Sequence, residues 1–362
     1  MTPIEHIEHF LAKKLLSPKG YSQYSSGDVS KSELAHFCER LQEISKAYVG
    51  HTVGVTLSSP IKDIAAAQAY ALYYSVINAA KLIHLVPLLT FKSDAVSVLD
   101  VGCGPGTAAL ALLSSLSHAL SITCVESSAP MRSVAERLLS QWEGMGSVRQ
   151  LSVVSSLAGC EGASFDLVIA ANVLAEMERG ASARLVERLA SNVAHGGYLL
   201  LLEPGQQVHT RRLMELRDRV IAGGELVPQF PCTRSDVCPM LSSSATDWCH
   251  GSLEWRQPRL NARFDDILGF NKHRIKYAAF LFQKGGTLRD GVRVMTEPVK
   301  GRSGIEALLC GNELYGIARI RKGTRSENNR PLEKASVWDR LRVDPQEVGD
   351  VKPETRIERL PM

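Results

Sequence analysis

The stretch from Val96 to Thr107 constrains this chain more than any other. It reads Val-Ser-Val-Leu-Asp-Val-Gly-Cys-Gly-Pro-Gly-Thr. Val96, Val98, Leu99 and Val101 are strand formers, and a nearly unbroken apolar run predicts a central parallel strand buried on both faces. The run stops at Gly102, Gly104 and Gly106. Residues without a Cβ let the backbone turn tightly and approach a ligand closely. Thr107 to Leu116, rich in Ala and Leu, predicts a helix directly after. Strand, glycine turn and helix N-terminus, in that order, predict a nucleotide-type site at the carboxyl edge of a sheet.

The spacing narrows the ligand. A dinucleotide fingerprint is Gly-x-Gly-x-x-Gly and makes room for a pyrophosphate. Here the spacing is Gly-x-Gly-x-Gly, with Asp100 two residues before the first glycine. The stretch resembles motif I of the class I S-adenosylmethionine-dependent methyltransferases. That resemblance implies a loop passing under the methionyl and ribose portions of the cofactor, with Asp100, Gly102, Gly104 and Gly106 beside it. Ser121 to Val125 reads as a second strand, and Glu126 stands at its end, twenty residues after Gly106. A carboxylate there can accept hydrogen bonds from both ribose hydroxyls. Asn172, closing a fourth strand from Phe165 to Ala171, is set with these as a cofactor-side residue. Many methyltransferases hold the adenine amino group with an acidic residue after the third strand; this chain offers Ser155 and Ser156.

The rest of the pattern supplies the frame. Residues 1–91 read as a helical domain, with apolar residues at helical spacing in Ile4–Leu15, Lys31–Tyr48 and Ile61–His84. Residues 92–290 read as a methyltransferase domain with a cysteine-rich insertion. After the first two strands come a helix from Met131 to Trp142, a strand from Val148 to Val154, the Phe165–Ala171 strand, a helix from Arg184 to Val193 and a strand from Tyr198 to Leu202. This alternation predicts an α/β doubly wound, Rossmann-like sheet. Residues 291–325 read as a small β appendage of short strands with Gly turns. Residues 326–362 are charged and punctuated by Pro and read as an extended tail, with Trp338 as an anchor.

Charge is informative by its distribution. The 362 residues carry a formal net charge of +4, and residues 201–362 alone carry +6. A basic C-terminal half fits a nucleic-acid partner. The helix from His209 to Ile221 offers Arg211, Arg212, Arg217 and Arg219 as phosphate contacts. Glu5 and Glu8 and the lack of a long apolar run make the first residues unlike a secretory signal or a transit peptide. No segment reads as a charge-free membrane span, so no membrane partner is expected. A cytoplasmic location is expected, with the eight cysteines as thiols or metal ligands.

Four of those cysteines fall in a pattern. Cys232, Cys238 and Cys249 follow the fifth strand, two of them beside prolines, and Cys310 comes later in Ala-Leu-Leu-Cys-Gly-Asn. Four thiolates suit tetrahedral zinc or an iron–sulfur cluster. Zinc pairs are usually separated by two to four residues; here five and ten intervene, which favours the larger object. Scattered buried thiols are the plain alternative.

Motif I, the Pro-Cys-x-x-x-x-x-Cys-Pro segment, Asp247-Trp-Cys-His, the late Leu-Cys-Gly, the tract from His273 to Lys284 and the tract from Val292 to Lys300 together resemble one family. It is the methyltransferase-like proteins of the small ribosomal subunit, known from mitochondria and found also in bacteria. The resemblance implies a four-cysteine [4Fe–4S] cluster on Cys232, Cys238, Cys249 and Cys310, with zinc as the alternative and His250 as a lesser ligand. It also implies service to small-subunit rRNA or small-subunit assembly. Asn172 is followed by Val-Leu rather than Pro-Pro-aromatic, so amide or exocyclic-amine methylation is not signalled. Glu176 and Glu203 lie near strand ends, and neither stands out as a base. Two functions remain open: an rRNA methyltransferase using S-adenosylmethionine, and a non-catalytic assembly factor that keeps the fold as an RNA-binding scaffold. The sequence leaves the oligomeric state open.

Overall fold

A computed structural model describes residues 1–27, 29–49, 59–311, 314–346 and 348–361. The chain divides into two compact units, one of residues 1–197 and 253–275, the other of residues 198–252 and 276–362.

The first unit begins with helices α1 (Pro3–Leu15), α2 (Pro18–Ser26), α3 (Lys31–Val49) and α4 (Ile64–Leu85). Thr2 and Glu5 form a capping box that satisfies two backbone donors at the start of α1. Asp63 caps α4 by accepting from Ala66 N–H at 2.7 Å. α4 is apolar on nearly every side, as a helix in the middle of a core is. By length and composition alone it could cross a membrane, but it carries Lys81 and most of its residues are buried within the unit.

Strands and helices then alternate: β1 (Ala95–Val101), α5 (Thr107–Ser115), β2 (Ala119–Val125), α6 (Ala129–Ser140), β3 (Ser147–Val154), β4 (Phe165–Ala171) and α7 (Arg179–Ser191). The strands lie in the order β3-β2-β1-β4 and run parallel, with Asp100 opposite Cys124 on one side and Ile169 on the other. The order reverses at β1, so a crevice opens beyond the carboxyl ends of β1 and β4. β1 is buried almost throughout.

β5 (Val193–Pro204) runs across the division between the units. It is longer than the Tyr198–Leu202 strand expected, because Gly196 and Gly197 lie inside it instead of before it. α8 (Gln207–Ala222), β6 (Leu226–Phe230), α9 (Pro239–Ser243) and β7 (Gly251–Glu254) follow. α10 (Arg259–Leu268) belongs to the first unit. Its first turn is capped from far away: the buried Glu8 carboxylate accepts from Leu260 N–H at 3.0 Å and Asn261 N–H at 2.7 Å. Tyr73 adds a 2.5 Å bond to Asp265.

In the second unit β8 (Arg274–Lys284) lies antiparallel between β5 and β6. Within this unit the strand order is β5-β8-β6, with β8 reversed. A second sheet is built from β9 (Val292–Val294), β10 (Val299–Lys300), β11 (Gly304–Gly311), β12 (Leu314–Arg321), β13 (Arg340–Asp344), β14 (Gly349–Asp350) and β15 (Arg356–Leu360), with the short α11 (Arg330–Glu333) before β13. Its order is β14-β12-β11-β9-β13-β15. The last segment is therefore no extended tail: β13 and β15 pair antiparallel over five residues, and Leu341, Val343 and Ile357 enter the core of this sheet. Trp338 is buried, packs edge-on against Phe230 and Tyr277, and donates its N–H to Val294 O.

Leu341 is fully buried. Leu341→Ala is expected to destabilise the second unit by about 2–5 kcal/mol. Chemical denaturation followed by Trp fluorescence, which Trp338 reports, checks this; an unchanged midpoint would contradict the role given to β13.

Candidate functional sites: a carboxylate-lined cavity and a four-cysteine cavity

Asp100, Gly102, Gly104, Glu126 and Asn172 line one cavity of about 320 Å³ in the first unit. Gly106 stands behind it as the residue before α5. All three glycines have left-handed backbones, at φ +71°, +56° and +87°. They differ in what surrounds them. A Cβ on Gly102 would lie 2.5 Å from Val173, and one on Gly106 would lie 3.0 Å from Leu139. A Cβ on Gly104 would meet nothing within 4 Å. Packing and conformation require the outer two, whereas Gly104 leaves its space to a ligand.

Glu126 is held in place at the end of β2. One carboxylate oxygen accepts from Gly104 N–H at 3.0 Å and the other from Ser128 N–H at 2.8 Å. Each oxygen keeps a further acceptor position for a ligand hydroxyl. Asp100 lies deeper, 1% exposed, and its Oδ2 has no hydrogen-bond partner. Burial first, and the charge of Glu126 second, push its carboxyl up to about 7. Cys103 and Cys124 bring their sulfurs close to Asp100, all three buried. The hydrogen bond between the two thiols, and burial after it, push Cys103 well up, so that thiol stays neutral under the glycine loop.

Three side chains in this cavity carry no sequence motif. Glu176 reaches it from the short turn Leu174–Glu176 after β4. Burial pushes its carboxyl up to about 7, against a hydrogen bond from Tyr48. Tyr48 and Tyr70, from α3 and α4, complete that wall, and burial pushes both phenols up. Ser155 lines the cavity where the adenine-side residue was expected. Asn172 holds a left-handed backbone at φ 56°. None of the cavity's described lining residues is Lys, Arg or His.

The second unit has a different cavity. Cys232, Cys238, Cys249 and Cys310 all line it, so residues far apart in sequence converge as expected. Among the described residues, no three of these sulfurs lie within 4.8 Å of one another. A zinc ion with bonds of about 2.3 Å would hold its four sulfurs about 3.8 Å apart; this spacing is wider. Free space between them is small, about 20 Å³, but metal–sulfur bonds are much shorter than van der Waals contacts, so a bonded centre needs less. Burial pushes the Cys310 thiol up to about 12 and Cys249 well up.

Arg217 and Arg293 line the same cavity. Arg217, on α8, was set among the phosphate contacts, but it is 1% exposed. It donates to Asp218 at 2.5 Å, to Arg234 O at 2.7 Å and to Asp236 O. Arg212 is likewise buried, and Arg211 donates to Asp247 O at 2.6 Å. The basic face read from this helix therefore turns partly inward. The signal was available: Arg217 shares a helical stripe with Leu213, Met214 and Val220, all buried. His250 is absent from the cavity lining; its ring stacks on Trp248, 4.8 Å between centroids.

Fold and glycine site together define a class I S-adenosylmethionine-dependent methyltransferase fold. Residues 64–315 match the family described as mitochondrial small ribosomal subunit Rsm22, and the chain belongs to that family. A comparison with curated proteins finds no match. Among solved structures, magnesium protoporphyrin IX methyltransferase of Synechocystis PCC 6803 with bound S-adenosylmethionine is 14% identical, over 68% of this chain and 90% of that one, with a TM-score of 0.36. Ribosomal protein L11 methylase of Lactobacillus delbrueckii subsp. bulgaricus is 14% identical, over 57% and 78%, at 0.33. TehB of Haemophilus influenzae is 13% identical, over 57% and 62%, at 0.36. Likeness at this level bears on no residue's role.

The raised Asp100 carboxyl makes stability depend on pH. Its folded value, about 7, lies above the unfolded value of about 3.9. The folded state then holds a proton that the unfolded state has lost, so stability is full below about pH 4 and falls as pH rises towards 7. Asp100→Asn removes this loss. Its stability relative to wild type is expected to grow between pH 4 and pH 8, and thermal melts of both proteins across that range check it.

Proposed function

We propose that this chain is an S-adenosylmethionine-binding, methyltransferase-like protein of the small ribosomal subunit, that it methylates small-subunit rRNA, and that it carries a [4Fe–4S] cluster on Cys232, Cys238, Cys249 and Cys310. The observation that carries the cofactor reading is the cavity at the end of β1. It is lined by carboxyl groups, open at Gly104, and has a fixed Glu126 at its rim. S-adenosylmethionine supplies an electrophilic methyl group on a sulfonium, a cation suited to such a lining. Glu126 would hold the ribose hydroxyls and the Gly102–Gly104 backbone the methionyl end. Glu176, a carboxyl poised near neutral pH at the cavity wall, would take the proton of the methylated atom. Family membership and the basic balance of residues 201–362 support an rRNA partner. The spacing of the cysteines along the chain, with five and then ten residues between the first three, is what favours a cluster over zinc.

A second reading, the non-catalytic scaffold, draws on Val173, which packs against Gly102 and follows Asn172 where enzymes that methylate amides or exocyclic amines have Pro-Pro-aromatic. Two measurements separate the readings. Gly104→Val puts a branched side chain into the open space at a left-handed position and is expected to abolish cofactor binding by calorimetry; equal affinity would remove the cofactor reading. Labelled S-adenosylmethionine and small-subunit rRNA are expected to give labelled RNA with wild type and none with Glu176→Gln, at unchanged cofactor affinity. Intact binding with no label from wild type would establish the scaffold.

The cluster has its own test. Anaerobically purified protein is expected to absorb broadly near 400 nm, on the order seen for thiolate-bound iron–sulfur centres. Cys310→Ser should abolish the absorption, and Cys160→Ser should not. Stoichiometric zinc in colourless protein would overturn the cluster and keep the site.

A further inference from the structure

Two fully buried arginines sit beside four thiols, and that combination needs an explanation. Arg217 and Arg293 are each 1% exposed. Burying a guanidinium costs heavily unless an anion and hydrogen bonds offset it. Arg293 has two bonds, from Nε to Pro231 O and from Nη1 to Trp338 O, both at 2.8 Å. Those acceptors are neutral carbonyls, the Phe230 ring lies 5.2 Å from the guanidinium, and Arg293 forms no ion pair among the described residues. Burial first, and Arg340 and Arg289 next, lower it to about 9, so it remains a cation at neutral pH. Its Nη2 has no hydrogen-bond partner among the described residues. Arg217 does have a carboxylate, Asp218, but Asp218 is shared with the N–H of Cys238 at 3.1 Å. Its Nε is also without a partner, and its guanidinium faces the Cys232 sulfur. Arg217 already hydrogen-bonds the Cys232 sulfur, and two donors, Arg217 Nε and Arg293 Nη2, are left over beside the four sulfurs that line the same small cavity.

The cavity wall holds a third guanidinium, Arg234, which is paired with Asp236. Counting the paired carboxylates, the surroundings of the four sulfurs remain net positive. Neutral thiols would leave that charge unanswered in the interior. Four thiolates on a metal centre answer it, since zinc or an oxidised [4Fe–4S] core held by four thiolates carries two negative charges in all.

We propose that Arg293, with Arg217 beside it, is the counter-cation of an anionic tetrathiolate centre, its free Nη2 reserved for a sulfur of the filled site. The inference rests on the four-thiolate reading above but not on iron as the metal. Arg293 is then a positioning residue with two jobs. It braces the backbone on either side of the site, at Pro231 before Cys232 and at Trp338. It also stabilises the more negative charge that reduction places on a cluster. Outer-shell donors of this kind commonly change metal affinity by about 10- to 100-fold.

The test compares the full chain, purified anaerobically, with Arg293→Gln and Arg293→Lys. Three quantities are measured: metal and sulfide per chain, the half-time of metal loss to a chelator, and the midpoint potential where iron is bound. Arg293→Gln is expected to lose metal about 10- to 100-fold faster and, with iron, to shift to a lower potential. Arg293→Lys keeps the charge and is expected to stay near wild type in both. If Arg293→Gln matches wild type, or Arg293→Lys fails as badly as Arg293→Gln, the counter-cation proposal is overturned while the thiolate site stands. If wild type carries zinc, the cluster reading fails and the chelator half-times decide the proposal alone. If wild type carries no metal, both readings fall. Should Arg293→Gln not fold, the unaltered protein decides. Labelling arginine with ¹⁵N should add nitrogen couplings to the paramagnetic spectrum of the reduced centre, and their absence would overturn the proposal.

Discussion

The first unit depends on how β1 ends. A strand buried on both faces has nowhere to go at its carboxyl end except into a tight turn, and three left-handed residues make that turn. Any side chain at Gly102 would collide with Val173 at the cavity wall, and one at Gly106 with Leu139 in the core. Loop, neighbouring helix and cavity floor are therefore one packing problem with one solution. Glu126 then ties the loop to β2 through the Gly104 N–H, so the cavity rim is as fixed as the sheet beneath it.

The two cavities have opposite characters. The cavity beyond β1 is walled by Asp100, Glu126 and Glu176, with no basic side chain among its described lining. The four-cysteine cavity is walled by Arg217, Arg234 and Arg293. Burial raises the Asp100 and Glu176 carboxyls to about 7, so the first lining can hold its protons or give them up, whereas the second is lined by guanidiniums.

Much of this was legible because it is local. The apolar run of β1, the glycines and the carboxylate after β2 each announce themselves within a few residues. The four cysteines were legible as a set through their rarity and their prolines. What escaped notice depends on distant partners. Glu176 owes its environment to Tyr48 and Tyr70, which approach from helices a hundred residues earlier in the chain. Arg217 was counted as one charge among four, when its place on the buried stripe of α8 decides its fate. β13 and β15 were hidden by composition: alternating charges mask Leu341, Val343 and Ile357, although the alternation is itself the pattern of a half-buried strand.

The capping of α10 bears on how the chain matures. Glu8 and its backbone partners, Leu260 and Asn261, stand 252 and 253 positions apart in the chain, so α10 must be made long after α1. Until they emerge, the helix carrying Glu8 must keep a carboxylate that its finished surroundings will bury. Domains generally close as they are made, but this one cannot close here until α10 exists: before then Glu8 has no backbone N–H groups to cap, and the first turn of α10 has no carboxylate.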